Sequence, residues 1–387
     1  MAPAIAADDL PRRLLAARPE WFGPLLDDPA RVRLQILLTA PDGPGDGPLV
    51  THAFRPDAEY VYPASTVKPL AAVAAMRTLR DLQDRLDSTE PDLGTPLTFH
   101  PAFPGAPLES HDPTNTPRGL ITAGHDVRLA CLVSDNPAHN RLYAIAGHRA
   151  LHEIVWAAGL TSLRHHHRLA DPRPPDEHRR TGRVDFLTRR GVVTIPARTS
   201  DLDLPPTAAP GLLIGERHVL GGRMVDGPMD FSRKNALSLT DLHRFILALH
   251  DPTHPAHAVD LGLHPDDAAF LRLAMTQWPR ESASPRLDPA PYPDDFVKPL
   301  VPGVRRVWPA ARTMNKLGQA YGFTLDTAVV TDPATGRWYA LTASIYANAS
   351  GTLGADTYDY ATVARPFFER LGEVVTAWAD ATVRPAR

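Results

Sequence analysis

Cysteine is nearly absent. Cys131 stands alone in 387 residues, which excludes an intrachain disulfide and a thiolate zinc cluster. Aromatic residues make up only 7%, too few for base-stacking platforms. The net charge is −3, so the chain carries no polybasic footprint for nucleic acid. No run of about 18 apolar residues occurs, so nothing in the sequence reads as a membrane span. Lysine is the most telling shortage. Of 41 basic residues only four are Lys: Lys68, Lys234, Lys298 and Lys316. Arg fills most surface roles but cannot give up its proton. Each remaining Lys is therefore a candidate for work that needs an amine, with Lys298 read as a leftover surface residue.

What is present points to a folded chain. Hydrophobic residues reach 43%, enough for a real core. The 41 prolines stand far above the usual ~5%. At roughly 100–200 residues per domain, the length allows two or three domains, or one with a large insertion. The start, MAPAIAADD, lacks a basic region and an apolar core, so it is no intact signal peptide. Ala4-Ile5-Ala6 does resemble the small-residue end of one, by cleavage or by chance in an Ala-rich chain.

Along the chain, 10–26 has helical leucine spacing limited by Pro19 and Pro24. Residues 31–39 and 49–57 read as a hairpin around the turn cluster PDGPGDGP at 41–48. Residues 65–86 read as a long helix, 125–146 as two helices broken at Ser134–Pro137, and 148–158 as another. The stretch 88–119 is loop-rich. From 161 to 235 turn material separates short β-like pieces such as VVTIPA, an elaborated loop with a small hairpin subdomain. Residues 239–250 and 265–277 are amphipathic helices, the first with Ser238 as N-cap. Residues 281–310 are Pro-rich. Then 312–318, 322–332 and 337–348 read as three strands, and 357–378 as a closing helix. The simplest architecture is a sheet domain built from 1–87 and 311–387, with 88–310 inserted as a mostly helical domain.

Ser65-Thr66-Val67-Lys68 carries the first chemistry. The i, i+3 spacing puts a hydroxyl and an amine on one helix face. A serine needs a base to become a nucleophile, and a lysine serves only if burial or nearby cations lower its pKa. Pro69 disturbs the picture, because it disfavours helical angles at Lys68. A lone Ser-x-x-Lys arises by chance about 0.12 times in such a chain, so alone it means little. Ser134-Asp135-Asn136 arises about 0.016 times, though a helix-to-helix turn also explains it. Lys316-x-Gly318, at about 0.26, is weak by itself. Together, in this order and in helix, turn and strand contexts, the three are far from chance.

On these residues the sequence resembles the penicillin-recognising serine hydrolases, most closely class A β-lactamases. YPASTVKPLAAVAA is similar to the nucleophile helix of that family. The segment from ITAGHDVRLACLVSDNPAHN onward is similar to its second motif, and NKLGQAYGFTLDTAVV to its third. The resemblance implies an α+β, β-lactamase/transpeptidase-like fold: an antiparallel sheet flanked by helices, plus the inserted helical domain. It implies Ser65 as acylated nucleophile and Lys68 as its base. Ser134 relays a proton to the leaving nitrogen, and Asn136 binds the substrate amide. Asn140 braces the turn, and Lys316 keeps the field positive near a substrate carboxylate. The backbone N–H groups of Ser65 and Gln319 form the oxyanion hole, with Gly318 small so that substrate can approach the strand. It also implies a small-molecule or peptide substrate, β-lactam or peptidoglycan-like, acted on outside the cytoplasm by a monomer without cofactor.

Two departures bear on substrate. Leu317 stands where the family has a hydroxyl residue that helps bind the β-lactam carboxylate. The family's deacylating glutamate also lacks its motif; Glu177 is the best-placed candidate among Glu153, Glu177, Glu216 and Glu281. Without that base, an acylated Ser65 would be released slowly. A β-lactamase, a D,D-peptidase or esterase, and a non-catalytic binding domain of the same fold are the readings to separate. Elsewhere, His165-His166-His167 reads as surface loop, since adjacent residues cannot all face one ion. Cys131 reads as core, Lys234 as a surface residue within reach of the site, and Trp278 and Trp308 as packing or a cleft wall.

Overall fold

A computed structural model describes residues 9–42, 48–254 and 258–383. The tripeptide at 4–6 and most of the turn cluster at 41–48 lie outside the described residues. The chain forms two compact units. The first comprises Met1–Thr66, Pro206–Asp260 and Lys298–Arg387; the second comprises Val67–Pro205 and Leu261–Val297.

The first unit is built on a five-stranded antiparallel sheet. Its spatial order is Arg312–Ala320, Phe323–Thr331, Trp338–Tyr346, Gln35–Pro41 and Leu49–Phe54, so Arg312–Ala320 lies at one edge. The central strands are buried along their length: all seven of Gln35–Pro41 and eight of nine in Phe323–Thr331 are buried. Such runs suit strands covered on both faces. One cover is the helix Leu239–His250, which packs on the strands Trp338–Tyr346 and Phe323–Thr331. Its start is fixed by Ser238, whose hydroxyl accepts from the Asp241 N–H at 3.0 Å. Leu15 and Phe22, from the first two helices, and Phe367, Phe368 and Leu371, from the last, form a core cluster with Ile36, Leu38 and Leu341.

The helix expected over 10–26 is two, Leu10–Ala16 and Pro19–Asp27, with a proline at the start of each. The Pro-rich stretch 281–310 holds a helix that pattern alone did not show, Val301–Val307. Pro302 fits its first turn, where no N–H bond is lost. Gly303 lets it lie against the closing helix Arg365–Thr382: a Cβ there would stand 1.8 Å from the Glu369 carbonyl oxygen.

The second unit is mostly helical. Lys68–Leu86 packs against Asn136–Ala146, His148–Ala157 and Ala123–Leu132. It is buried almost continuously from Lys68 to Met76. A three-stranded sheet, Leu97–Phe99, Val184–Thr188 and Gly191–Ile195, anchors the loop-rich stretches. No helix among the described residues is long and apolar enough to cross a membrane.

Candidate active site

Residues 64–67 form a single 3-10 turn, and the α-helix begins at Lys68. This resolves the conflict posed by Pro69. Proline occupies the second helical position, where its missing N–H breaks no intrahelical bond. Ala64 takes a φ of 47°, and Thr66 ties the turn down through its N–H and Oγ1, both donating to the Pro63 carbonyl at 3.0 and 2.7 Å. From Tyr60 to Met76 every residue is buried except Ser65, which is half-buried. The local sequence thus presents one hydroxyl from an otherwise enclosed segment.

Within the same unit, the edge strand meets that turn. A Cβ on Gly318 would stand 2.5 Å from the Pro63 carbonyl oxygen and 2.9 Å from the Thr66 methyl. Gly318 is therefore required by the Ala64–Val67 turn itself, a different reason from the substrate approach expected from sequence. Lys316 is buried and donates from Nζ to the Leu317 carbonyl at 2.8 Å. Gln319 is exposed. Lys234 lies half-buried, with Nζ 5.5 Å from the Tyr321 ring centre.

In the second unit, the first and second motifs meet. Lys68 is fully buried, and its Nζ donates to the Ser134 carbonyl and, at 3.1 Å, to the Ser134 hydroxyl. Ser134 holds a φ of 58°, a strained value for a residue with a side chain. The neighbouring helix fixes it: Asp135 caps Asn136–Ala146 by accepting from the Ala138 N–H at 2.7 Å. Asn136 is the first residue of that helix and is half-buried. Asn140, one turn further on, clamps Leu169. Its Nδ2 donates to the Leu169 carbonyl at 3.0 Å and its Oδ1 accepts from the Leu169 N–H at 3.1 Å. A cavity of about 320 Å³ lies against this helix, lined by Pro137, Asn140, Phe103, Arg168 and Arg173 among others. Glu177 sits on the short turn Pro175–Arg179 and is ion-paired to Arg173 at 3.5 Å.

Two expectations need correction. Lys298 is not a surface leftover: it is 2% exposed and donates to the Thr313 carbonyl at 2.9 Å and to Asn315 Oδ1 at 2.8 Å. His165 is not on a surface loop either. It is buried, stacked on Tyr143, with its Nε2 3.0 Å from that of His139. Its N–H donates to His152 Nε2 at 2.9 Å. Among the described residues no group of three or more His, Cys, Asp or Glu is arranged to hold a metal ion. Trp278 and Trp308 are buried packing residues, and Trp308 donates to Asp380 at 2.9 Å. Cys131 is buried, as expected. Two residues that bear on the site, Leu169 and Asp326, carried no local signal; each is marked only by a partner distant in sequence.

No family model and no curated protein matches the chain. Solved structures do. A mutant of PBP-A, captured as its acyl-enzyme with penicillin G, superposes with a TM-score of 0.55 at 14% identity, covering 98% of this chain and 100% of that one. A β-lactamase from Desulfarculus baarsii gives 0.50 at 18% identity, covering 96% and 98%. One from Sphaerobacter thermophilus gives 0.50 at 15%, covering 96% and 97%. The chain has the α+β fold of the penicillin-recognising serine hydrolases. Within that fold it is similar both to β-lactamases and to a penicillin-binding protein.

Proposed function

We propose that the chain is a serine hydrolase working through an acyl-enzyme on Ser65. The observation that carries this reading is the enclosed amine of Lys68, hydrogen-bonded to the Ser134 hydroxyl and three residues along the chain from Ser65, the one partly exposed residue of its segment. Lys68 takes the Ser65 proton, directly or through water. Oγ then bonds to the substrate carbonyl carbon, and the C–N bond breaks. Ser134 delivers the proton that the departing nitrogen needs. The N–H groups of Ser65 and Gln319 stabilise the oxyanion, a contribution worth a few kcal/mol per donor in such sites. Asn136 holds the substrate amide and Lys316 attracts its carboxylate.

The sequence resemblance makes β-lactam hydrolysis the first specific reading. The structure gives grounds for a second, a D,D-peptidase or penicillin-binding type with slow release. The loop residue that Asn140 clamps is Leu169, an apolar side chain. Glu177 is engaged by Arg173, and Leu317 supplies no hydroxyl for a carboxylate. These favour an acyl-enzyme that lasts.

Intact-mass measurement after exposure to benzylpenicillin, followed over time, tests both levels. The wild type is expected to gain one penicilloyl adduct and Ser65→Ala none. An adduct that persists supports the penicillin-binding type; an adduct that clears with release of hydrolysed penicillin supports the β-lactamase. Equal labelling of Ser65→Ala sinks the acyl-enzyme reading.

A further inference from the structure

The corrected place of Lys298 leads beyond the three motifs. Its ammonium, buried in the sheet unit, is bound by two groups of the edge strand: the Thr313 carbonyl and the Asn315 side-chain oxygen. Asn315 passes the contact on, donating from Nδ2 to Asp326 Oδ1 at 2.8 Å. Asp326 stands on the adjacent strand, 1% exposed, and its Oδ2 has no hydrogen-bond partner among the described residues. The chain of contacts ends next to the third motif. Asn315 directly precedes Lys316, and Asp326 is the cross-strand partner of Leu317.

A charged pair taken out of water is costly unless geometry and further hydrogen bonds compensate, so its upkeep suggests a role other than stability. We propose that Lys298, Asn315 and Asp326 are positioning residues for the third motif. Lys298 fixes the strand bearing Lys316 and Gly318, and the ionisation of Asp326 tunes how strongly Lys316 attracts a substrate carboxylate. The proposal deepens the function given above and rests on it. Burial pushes the Asp326 carboxyl up to about 7, against the pull of the Asn315 hydrogen bond and of Lys298 and Lys316. Those two lysines are the charged groups that act on it, Lys298 from the segment before Val301–Val307 and Lys316 from the alternate face of the strand Arg312–Ala320, through the sheet; the strand on its other side presents Ala343 as its cross-strand partner. Above about 7 the carboxylate offsets the Lys316 charge; below, it does not. Attraction for a substrate carboxylate therefore strengthens as pH falls through neutrality.

The test is acylation by benzylpenicillin, followed by intact mass from pH 5.5 to pH 8.5. In the wild type the concentration giving half-maximal acylation rate is expected to rise about tenfold across that interval, from the effect of one nearby charge. In Asp326→Asn that dependence disappears while the saturating rate keeps its own pH profile. In Lys298→Met it moves to higher pH, because the cation that favours the carboxylate is gone. A dependence that survives unchanged in Asp326→Asn overturns the proposal. A second measurement needs neither folding of the variants nor acylation. In the wild-type protein, the amide shifts of Leu317, Gly318 and Gln319 should titrate with the carboxyl carbon of Asp326 at one midpoint. Amides that ignore that midpoint overturn the proposal. If they follow it but benzylpenicillin never acylates the wild type, the hydrolase reading fails and the positioning chain stands.

Discussion

Gly318 is placed where a methyl group would collide with backbone. The Pro63 oxygen cannot swing aside as a side-chain tip would, because Thr66 donates to it twice. Gly318→Ala should therefore cost about 1–3 kcal/mol, typical of overpacking, and displace the turn that carries Ser65. Urea denaturation would register the loss of stability. The residue-level signals in the sequence were uneven for a physical reason. Lys68 and Lys316 stood out because they fall in spaced motifs. Lys298 and His165 did not, because a buried polar group is identified by its partners. Those partners, Asn315 and His139, lie 17 and 26 residues away.

Elements were more legible than the contacts they make. The strands at 312–320, 323–331 and 338–346 follow from apolar runs bounded by turns, and Leu239–His250 begins at the expected cap. The 3-10 turn ahead of Lys68 was foreshadowed only as trouble from Pro69. The helix Val301–Val307 was hidden by Pro302 and Gly303, whose suitability depends on the neighbouring helix. The docking of 161–180 on Asn136–Ala146 was not readable from pattern, since it rests on contacts between residues far apart in sequence, Asn140 with Leu169 and His139 and Tyr143 with His165. Asn140→Ala leaves the N–H and carbonyl of the buried Leu169 without that partner, a loss worth about 1–3 kcal/mol per unsatisfied group. Hydrogen exchange at the Leu169 amide should accelerate accordingly, while exchange in the helix Leu239–His250 stays unchanged.

At the scale of the molecule, buried histidines weaken the helical unit against acid. In the helical unit burial pushes His152 down to about 4, His148 down to about 3, and His165 well below its usual range. The unfolded chain binds protons at these groups below about 6.5 while the folded chain does not, so stability is fully present above 6.5 and falls as pH drops towards the folded values. Near pH 5 His152 and His148 each contribute a loss of roughly 2 kcal/mol. Asp326, whose carboxyl burial pushes up to about 7, works in the opposite sense, so the effect of a ring is read by difference: between pH 7 and pH 4.5 the thermal midpoint should lose more in the wild type than in His152→Gln. The same pH dependence in the two proteins would contradict the buried, neutral state of the His152 ring. A sheet built from both chain ends was suggested by the order of strands and helices, with bounds of 1–87 and 311–387 where the compact unit has Met1–Thr66 and Lys298–Arg387. Where Pro206–Asp260 belongs was not, because that depends on which face the helix Leu239–His250 covers.

The rarity and enclosure of lysine have a practical corollary. Lys68, Lys298 and Lys316 are each at most 2% exposed, and Lys234 alone of the four is even partly open to solvent. An amine-directed reagent thus meets a single side-chain handle on the folded chain, giving fluorophores or supports one defined attachment point, and three more handles emerge only when the fold is lost.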